Sequence, residues 1–192
     1  MKGANTMKTF WCSIIGVAAT GLMAATATAQ VQPWDKQVNN QNRFKVLGLF
    51  GNAAVLDQET GLVWEKSPSS ILEPWSPRNP DTAHILCNVK AVGNRLGWRL
   101  PTIQELGSLL DPTQSRPPLT PGHPFVLTTA QQTGQFWSAT TAATDPVSPN
   151  SAWFIDFDIF NFPEGLVLYG AGDKTTPRFV WCVRTGPGID IQ

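Results

Sequence analysis

Apolar residues recur at every second position in several short stretches and at helical spacing in only two. The pattern predicts strands, then two short helices, then strands. Residues 43–47 and 53–56 read as strands around a turn at 48–52, and 57–61 is a second turn in which Gly61 is free to take positive φ. Residues 62–65 form the next strand. Pro68, Pro74 and Pro77 then make 67–77 a loop. The first helix opens with Asn79 as N-cap, Pro80 at the first helical position and Asp81 in the first turn. Its stripe is Ile85, Leu86, Val89 and Val92, with Cys87 on the flank, and Gly93 ends it. The second helix runs from Ile103 to about Leu110 with Ile103, Leu106, Leu109 and Leu110 inward, and Asp111-Pro112 stops it.

Residues 113–135 read as a long Pro/Thr/Gln-rich loop, and 136–140 as a strand. The strongest strand is 151–160, with Trp153, Ile155, Phe157 and Ile159 on one face and Phe154, Asp156, Asp158 and Phe160 on the other. A short apolar run at 166–169 lies between glycines, and 179–184 is the last strand. This order is an α+β pattern with antiparallel strands and long loops. It lacks the regular alternation of a doubly wound sheet.

The ten residues 97–106, GWRLPTIQEL, join the two helices. Thr102 and Glu105 have the spacing of a capping box, and Pro101 keeps Trp98, Arg99 and Leu100 extended. Arg99 is read as partly buried and paired with a carboxylate such as Glu65, Glu105 or Asp156, so that losing the partner costs about 3–5 kcal/mol. Trp98, Arg99, Thr102 and Glu105 are therefore structural residues.

The N-terminus changes the picture. Lys2 and Lys8 precede an apolar run from Ile14 to about Ala25, and Ala27-Thr28-Ala29 supplies a small-x-small cleavage pattern. Residues 1–29 are read as a secretory signal peptide, too weakly apolar at their end to be a membrane anchor. Residues 30–42 follow as a flexible polar leader, 43–186 as the domain and 187–192 as a tail. Without Lys2 and Lys8 the chain carries 12 basic and 14 acidic residues, net −2, which argues against a nucleic-acid partner. The low charge and the abundance of Trp, Pro and Gly suit a loop-rich exported domain, with no membrane span after cleavage. Cys12 leaves with the signal, so Cys87 and Cys182 are expected to pair, adding about 4 kcal/mol of stability in the chain-entropy model.

Several stretches occur together in order: Thr60 to Glu65, residues 97–106, Pro121-Gly122-His123-Pro124-Phe125, Phe136 to Thr140, Ala152-Trp153 and Trp181-Cys182-Val183-Arg184. In combination they resemble the C-terminal domain of the Legionella collagen-like adhesin, the family DUF1566, over roughly residues 43–186. The resemblance implies a C-type-lectin-like fold: two helices flanking antiparallel strands, long loops and a cysteine bridge from the first helix to the last strand. It also implies an exported bacterial module, periplasmic or at the cell surface. The adhesin itself binds sulfated glycosaminoglycans, but this chain has neither a collagen repeat nor a basic excess. The run Arg99-Leu100-Pro101-Thr102 with Glu105 is also similar to formylglycine-generating enzymes, whose oxidation needs a cysteine pair near the substrate.

Candidate ligand-binding residues are few. Asp156, Asp158 and Asn161 lie close together in sequence near Glu164 and Asp173, and His123 sits in a Pro-Gly-His-Pro turn. Calcium needs more converging oxygens than this, and the Glu-Pro-Asn type triplet of sugar-binding lectins is absent. With His84 the only other histidine, no zinc site or Ser-His-Asp arrangement is expected. Neither metal nor cofactor is anticipated. Trp64, Trp98, Trp137, Trp153 and Trp181 are read as core, and Trp34 and Trp75 as the exposed aromatics. The expectation is a non-enzymatic binding domain that recognises a glycan or an envelope protein through loops 113–135, 142–150 and 158–178. A structural or homo-oligomeric assembly module ranks second, and an enzyme of the formylglycine-generating type third.

Overall fold

The computed structural model describes residues 40–76, 82–111, 113–143, 150–158 and 169–185, all within one compact unit, Val31–Gln192. The expected signal peptide, most of the leader, Asn79 to Asp81, Asn161 and the tail lie outside the described residues. What is described is a mixed α and β structure, mostly strands in two open sheets with a few short helices. None of those helices is long and apolar enough to cross a membrane.

The first sheet has the order β1 (Phe44–Val46), β2 (Ala54–Asp57), β3 (Leu62–Glu65), β9 (Val183–Thr185), antiparallel throughout. The second has the order β4 (Ser69–Glu73), β8 (Arg178–Val180), β5 (Gln135–Thr141), β6 (Ser151–Asp156), β7 (Tyr169–Asp173). Its pairs are antiparallel except β5 with β8, where Phe136 lies opposite Phe179 in parallel. The helices are α1 (Asn40–Arg43), α2 (Ala83–Val89), α3 (Ile103–Gly107) and α4 (Thr129–Gln132).

Period-two alternation divides the core. Val55, Trp64, Phe136, Ile155, Phe179, Trp181 and Val183 join Leu106 and Leu109 in one cluster. Their chain neighbours Ala54, Val63, Trp137, Phe154, Val180 and Cys182 join Trp98, Trp75 and Cys87 in the other. Strands are therefore buried on both sides, as the apolar runs at 136–137 and 179–183 require.

Expectations about several elements are corrected. Residues 169–173, read within the loop 158–178, are strand β7 because they pair with β6, and the second helix, α3, ends at Gly107 rather than near Leu110, which bridges to Leu119. The stretch 69–73 is a strand, because its backbone pairs with β8 across the sheet edge despite the flanking prolines. The first helix is shorter: α2 ends at Val89, a separate 3-10 turn covers Val92–Asn94, and Gly93 there takes φ +61 directly against the Phe50 backbone. Its inward face is Ala83 and Cys87, four apart, while Val89 is 70% exposed. The loop 113–135 contains α4, whose capping box joins Thr128 and Gln131, and it buries Leu119, Thr120, Phe125 and Gln131.

The last strand is corrected too. It is two strands, β8 in one sheet and β9 in the other, with Trp181 and Cys182 at the crossing. Buried Glu65 holds that crossing: its Oε2 accepts from the Cys182 N–H at 3.0 Å and its carbonyl from the Trp181 indole at 2.9 Å. Lys90 pairs with the same carboxylate at 2.5 Å. Nothing in the apolar pattern of 179–184 marks such a break, since it is imposed from Glu65.

Candidate functional site

The link 97–106 folds as a joint. Arg99 pairs its main chain with Val183 of β9 in both directions, at 2.8 and 2.9 Å, and Ala139 of β5 donates to the Pro101 carbonyl at 2.6 Å. Thr102 Oγ1 accepts from the Glu105 N–H at 3.2 Å, and Glu105 Oε2 accepts from the Thr102 N–H at 2.8 Å, closing the capping box of α3. Of the three candidate carboxylates, Glu105 takes Arg99, in a two-pronged bridge at 2.6 and 2.7 Å. The Arg99 side chain is 38% exposed, so the pair is partly buried and still within reach of water. Burial works to raise the Glu105 pKa, yet the donors from Arg99 and Thr102 outweigh it and hold the carboxyl below its ordinary range. Trp98 is core, its indole donating to the Arg95 carbonyl at 2.7 Å.

Cys87 and Cys182 form a disulfide with Cα atoms 5.4 Å apart, joining α2 to the sheet crossing. A buried ion pair that the sequence pattern did not reveal ties the domain start to the end of α3. Arg43 clasps fully buried Asp57 at 2.8 and 3.1 Å and also donates to the Ser108 carbonyl.

The acidic candidates fall in a cleft of about 390 Å³ lined by Gln135, Asp156, Asp158, Arg178, Phe179 and neighbours. Their groups engage one another. Asp156 ends β6 by accepting the Asp158 N–H at 2.9 Å, an Asx turn, so Asp158 lies beyond the strand. The other oxygen of Asp156 accepts from Gln135 at 2.8 Å, and Asp158 accepts from Arg116 at 2.6 Å. Arg178 donates from Nε to Gln135 at 2.8 Å while its guanidinium lies over both Trp137 and Phe154, 4.2 and 4.1 Å from the ring centres. Desolvation lowers its pKa, against the pull of Asp156 and Asp173. His123 does not line this cleft. It packs beside Phe125 with centroids 5.8 Å apart, and burial lowers its pKa. Among the described residues no group of three or more His, Cys, Asp or Glu could hold a metal ion.

The tryptophans are distributed differently from expectation. Trp75 is buried: its indole donates to the Ser138 carbonyl at 2.6 Å, and His84 and Lys174 both pack on its ring. Trp153 is the one read as core that reaches the surface in part. It shares a cleft of about 460 Å³ with Ile103, Gln104, Thr140 and Tyr169. Trp153 and Ile155 share one face of β6, and Ile155 lies opposite Tyr169 of β7, so Tyr169 and Trp153 sit diagonally across that face. Helix α3 crosses the same face and buries Ile155, leaving Trp153 beside its first turn. Sequence offered one signal here, in that Tyr169 is the only tyrosine.

The family model described as the Lcl C-terminal domain matches residues 53–184. The chain belongs to this family. No match was found among curated proteins, and none among solved structures. Membership in the Lcl C-terminal domain family points to an adhesin-like surface domain. In this Lcl C-terminal domain the matched stretch includes the joint at 97–106, both cysteines and both clefts.

Proposed function

We propose that this Lcl C-terminal domain is exported and serves as a non-enzymatic binding module, at the cell surface or in the periplasm, for a glycan or an envelope protein. The observation that carries this reading is the Trp153–Tyr169 cleft, where two partly exposed aromatic rings meet polar side chains on a frame of sheet and helix. Export is supported by the N-terminal charge and apolar pattern and by the buried disulfide, which suits an oxidising compartment. A C-type-lectin-like architecture is proposed on the same grounds, with α2 bridged to the final sheet crossing and α3 packed on the larger sheet. Formylglycine-type oxidation is disfavoured because both cysteines are wholly buried in their bridge.

The test is an array of sulfated and neutral glycans, together with envelope-protein capture, probed with the exported chain. Saturable binding to some member is expected, and silence across both would sink the reading. A structural assembly module is the second reading. It is favoured by Ile71 and Leu72, which are 61% and 49% exposed on edge strand β4. Light scattering should then show a stable oligomer that Ile71→Lys dissolves.

A further inference from the structure

We infer that the Trp153–Tyr169 cleft is a subsite for an uncharged sugar ring, a neutral hexopyranose unit of an oligosaccharide. This rests on the binding-module reading above and names the ligand class and the residues. Among the described residues the cleft is lined by Ile103, Gln104, Thr140, Trp153 and Tyr169, none of them charged. An anionic glycan would find no counter-charge among these residues, whereas a neutral ring meets aromatic faces, an amide and hydroxyl groups there. The apolar C–H face of a pyranose stacks on an indole or phenol ring, and its hydroxyls need donors and acceptors around the rim.

Those rim groups are present and uncommitted. Gln104 is exposed on the first turn of α3, and its side-chain amide has no hydrogen-bond partner among the described residues. The Thr140 oxygen accepts from the Ile103 N–H at 3.0 Å, which fixes the hydroxyl while leaving its proton free to donate. Tyr169 is 46% exposed. Its hydroxyl end lies where a Cβ on Gly107 would have to go, so that glycine seats the ring against α3. The volume of about 460 Å³ lies within the range of small-ligand sites, roughly 300–1,000 Å³. The acidic cleft around Arg178 differs in kind, because its polar groups largely satisfy one another.

The experiment is calorimetric titration of the exported chain with neutral gluco-, galacto- and manno-configured tetrasaccharides and with a sulfated heparin tetrasaccharide. Wild type, Trp153→Ala, Tyr169→Ala, Gln104→Ala and Gly107→Ala are compared, each with its melting temperature. At least one neutral tetrasaccharide should bind, and Trp153→Ala or Tyr169→Ala should weaken it at least tenfold. Gln104→Ala should weaken it several-fold without lowering the melting temperature, since the side chain is exposed. Gly107→Ala improves helix propensity yet displaces Tyr169, so it should lose affinity while melting no lower. If Trp153→Ala fails to fold, the Gln104 and Gly107 variants decide between the outcomes. Absence of neutral-sugar binding, or binding indifferent to these substitutions, overturns the subsite. Binding of the heparin fragment or a protein alone would do so while leaving the wider binding-module reading in place.

Discussion

Two arginines show how exposure sets the worth of an ion pair. Arg99 is 38% exposed on its side chain and meets Glu105 within reach of water, so Arg99→Ala should cost only about 1 kcal/mol. Asp57 is wholly buried beneath Arg43, and Asp57→Ala leaves that buried guanidinium only the half-exposed Glu59 and the Ser108 carbonyl, so it should cost more, about 3 kcal/mol. Urea unfolding of the two variants side by side should give this order, and the reverse would place the structural weight at 97–106 after all.

Charge also sets the response to acid. Glu105 is depressed in the fold, so it binds fewer protons folded than unfolded. Its contribution is full above the ordinary carboxylate range and is lost as pH falls through the depressed value. Burial pushes Glu65 the other way, beyond what Lys90 and the Cys182 N–H recover, so its contribution declines as pH rises through the window above the ordinary value. Burial lowers both histidines, with Lys174 adding to His84, so they withdraw stability as pH falls below about 6.5. As pH is lowered from 8, the histidines should therefore pull the melting temperature down through their range while Glu65 offsets part of the fall. A His84→Gln/His123→Gln variant should flatten that first part of the curve, and Glu105→Gln the later part.

At the level of elements, β7 is built to admit its neighbours. A Cβ on Gly170 would strike the Phe154 ring, and one on Gly172 would strike the Arg178 guanidinium stacked on that ring. Gly170→Ala should destabilise by about 1–3 kcal/mol through overpacking, seen as a lower denaturation midpoint at unchanged slope. A neutral result would mean that Phe154 can move aside. The sequence 169–173 could not announce this, because its alternation of glycine with other residues looks like turn composition until Phe154 and Arg178 are set beneath it. By contrast, the start of α3 was fully legible. Thr102 and Glu105 cap it through contacts only three residues apart, and local spacing is enough to specify them.

At the scale of the molecule, the Cys87–Cys182 bridge and Glu65 together hold the place where the chain passes from one sheet to the other. The bond closes a loop 95 residues long in sequence, and reducing it should remove about 4 kcal/mol by releasing the unfolded chain. The chain without residues 1–29, denatured and unreduced, should show no free thiol by colorimetric titration. A value near two per chain would contradict the bridge.

By itself the sequence determined whatever depends on near neighbours and counting. That covers the period-two strands of the first sheet, the cap of α3, the pairing of the two remaining cysteines and the family resemblance carried by its motifs. Tertiary structure decided what depends on partners far along the chain. It made 69–73 a strand by giving it β8, split 179–184 between two sheets through Glu65, and buried Trp75 under His84 and Lys174. It also left Trp153 only partly buried, although Ile155 on the same face of β6 is wholly buried. Alternation states which face a side chain takes, but only packing states how far α3 extends over that face. The physical reason is that exposure belongs to the assembled pair of elements, and the same indole becomes core or platform according to where the covering helix begins.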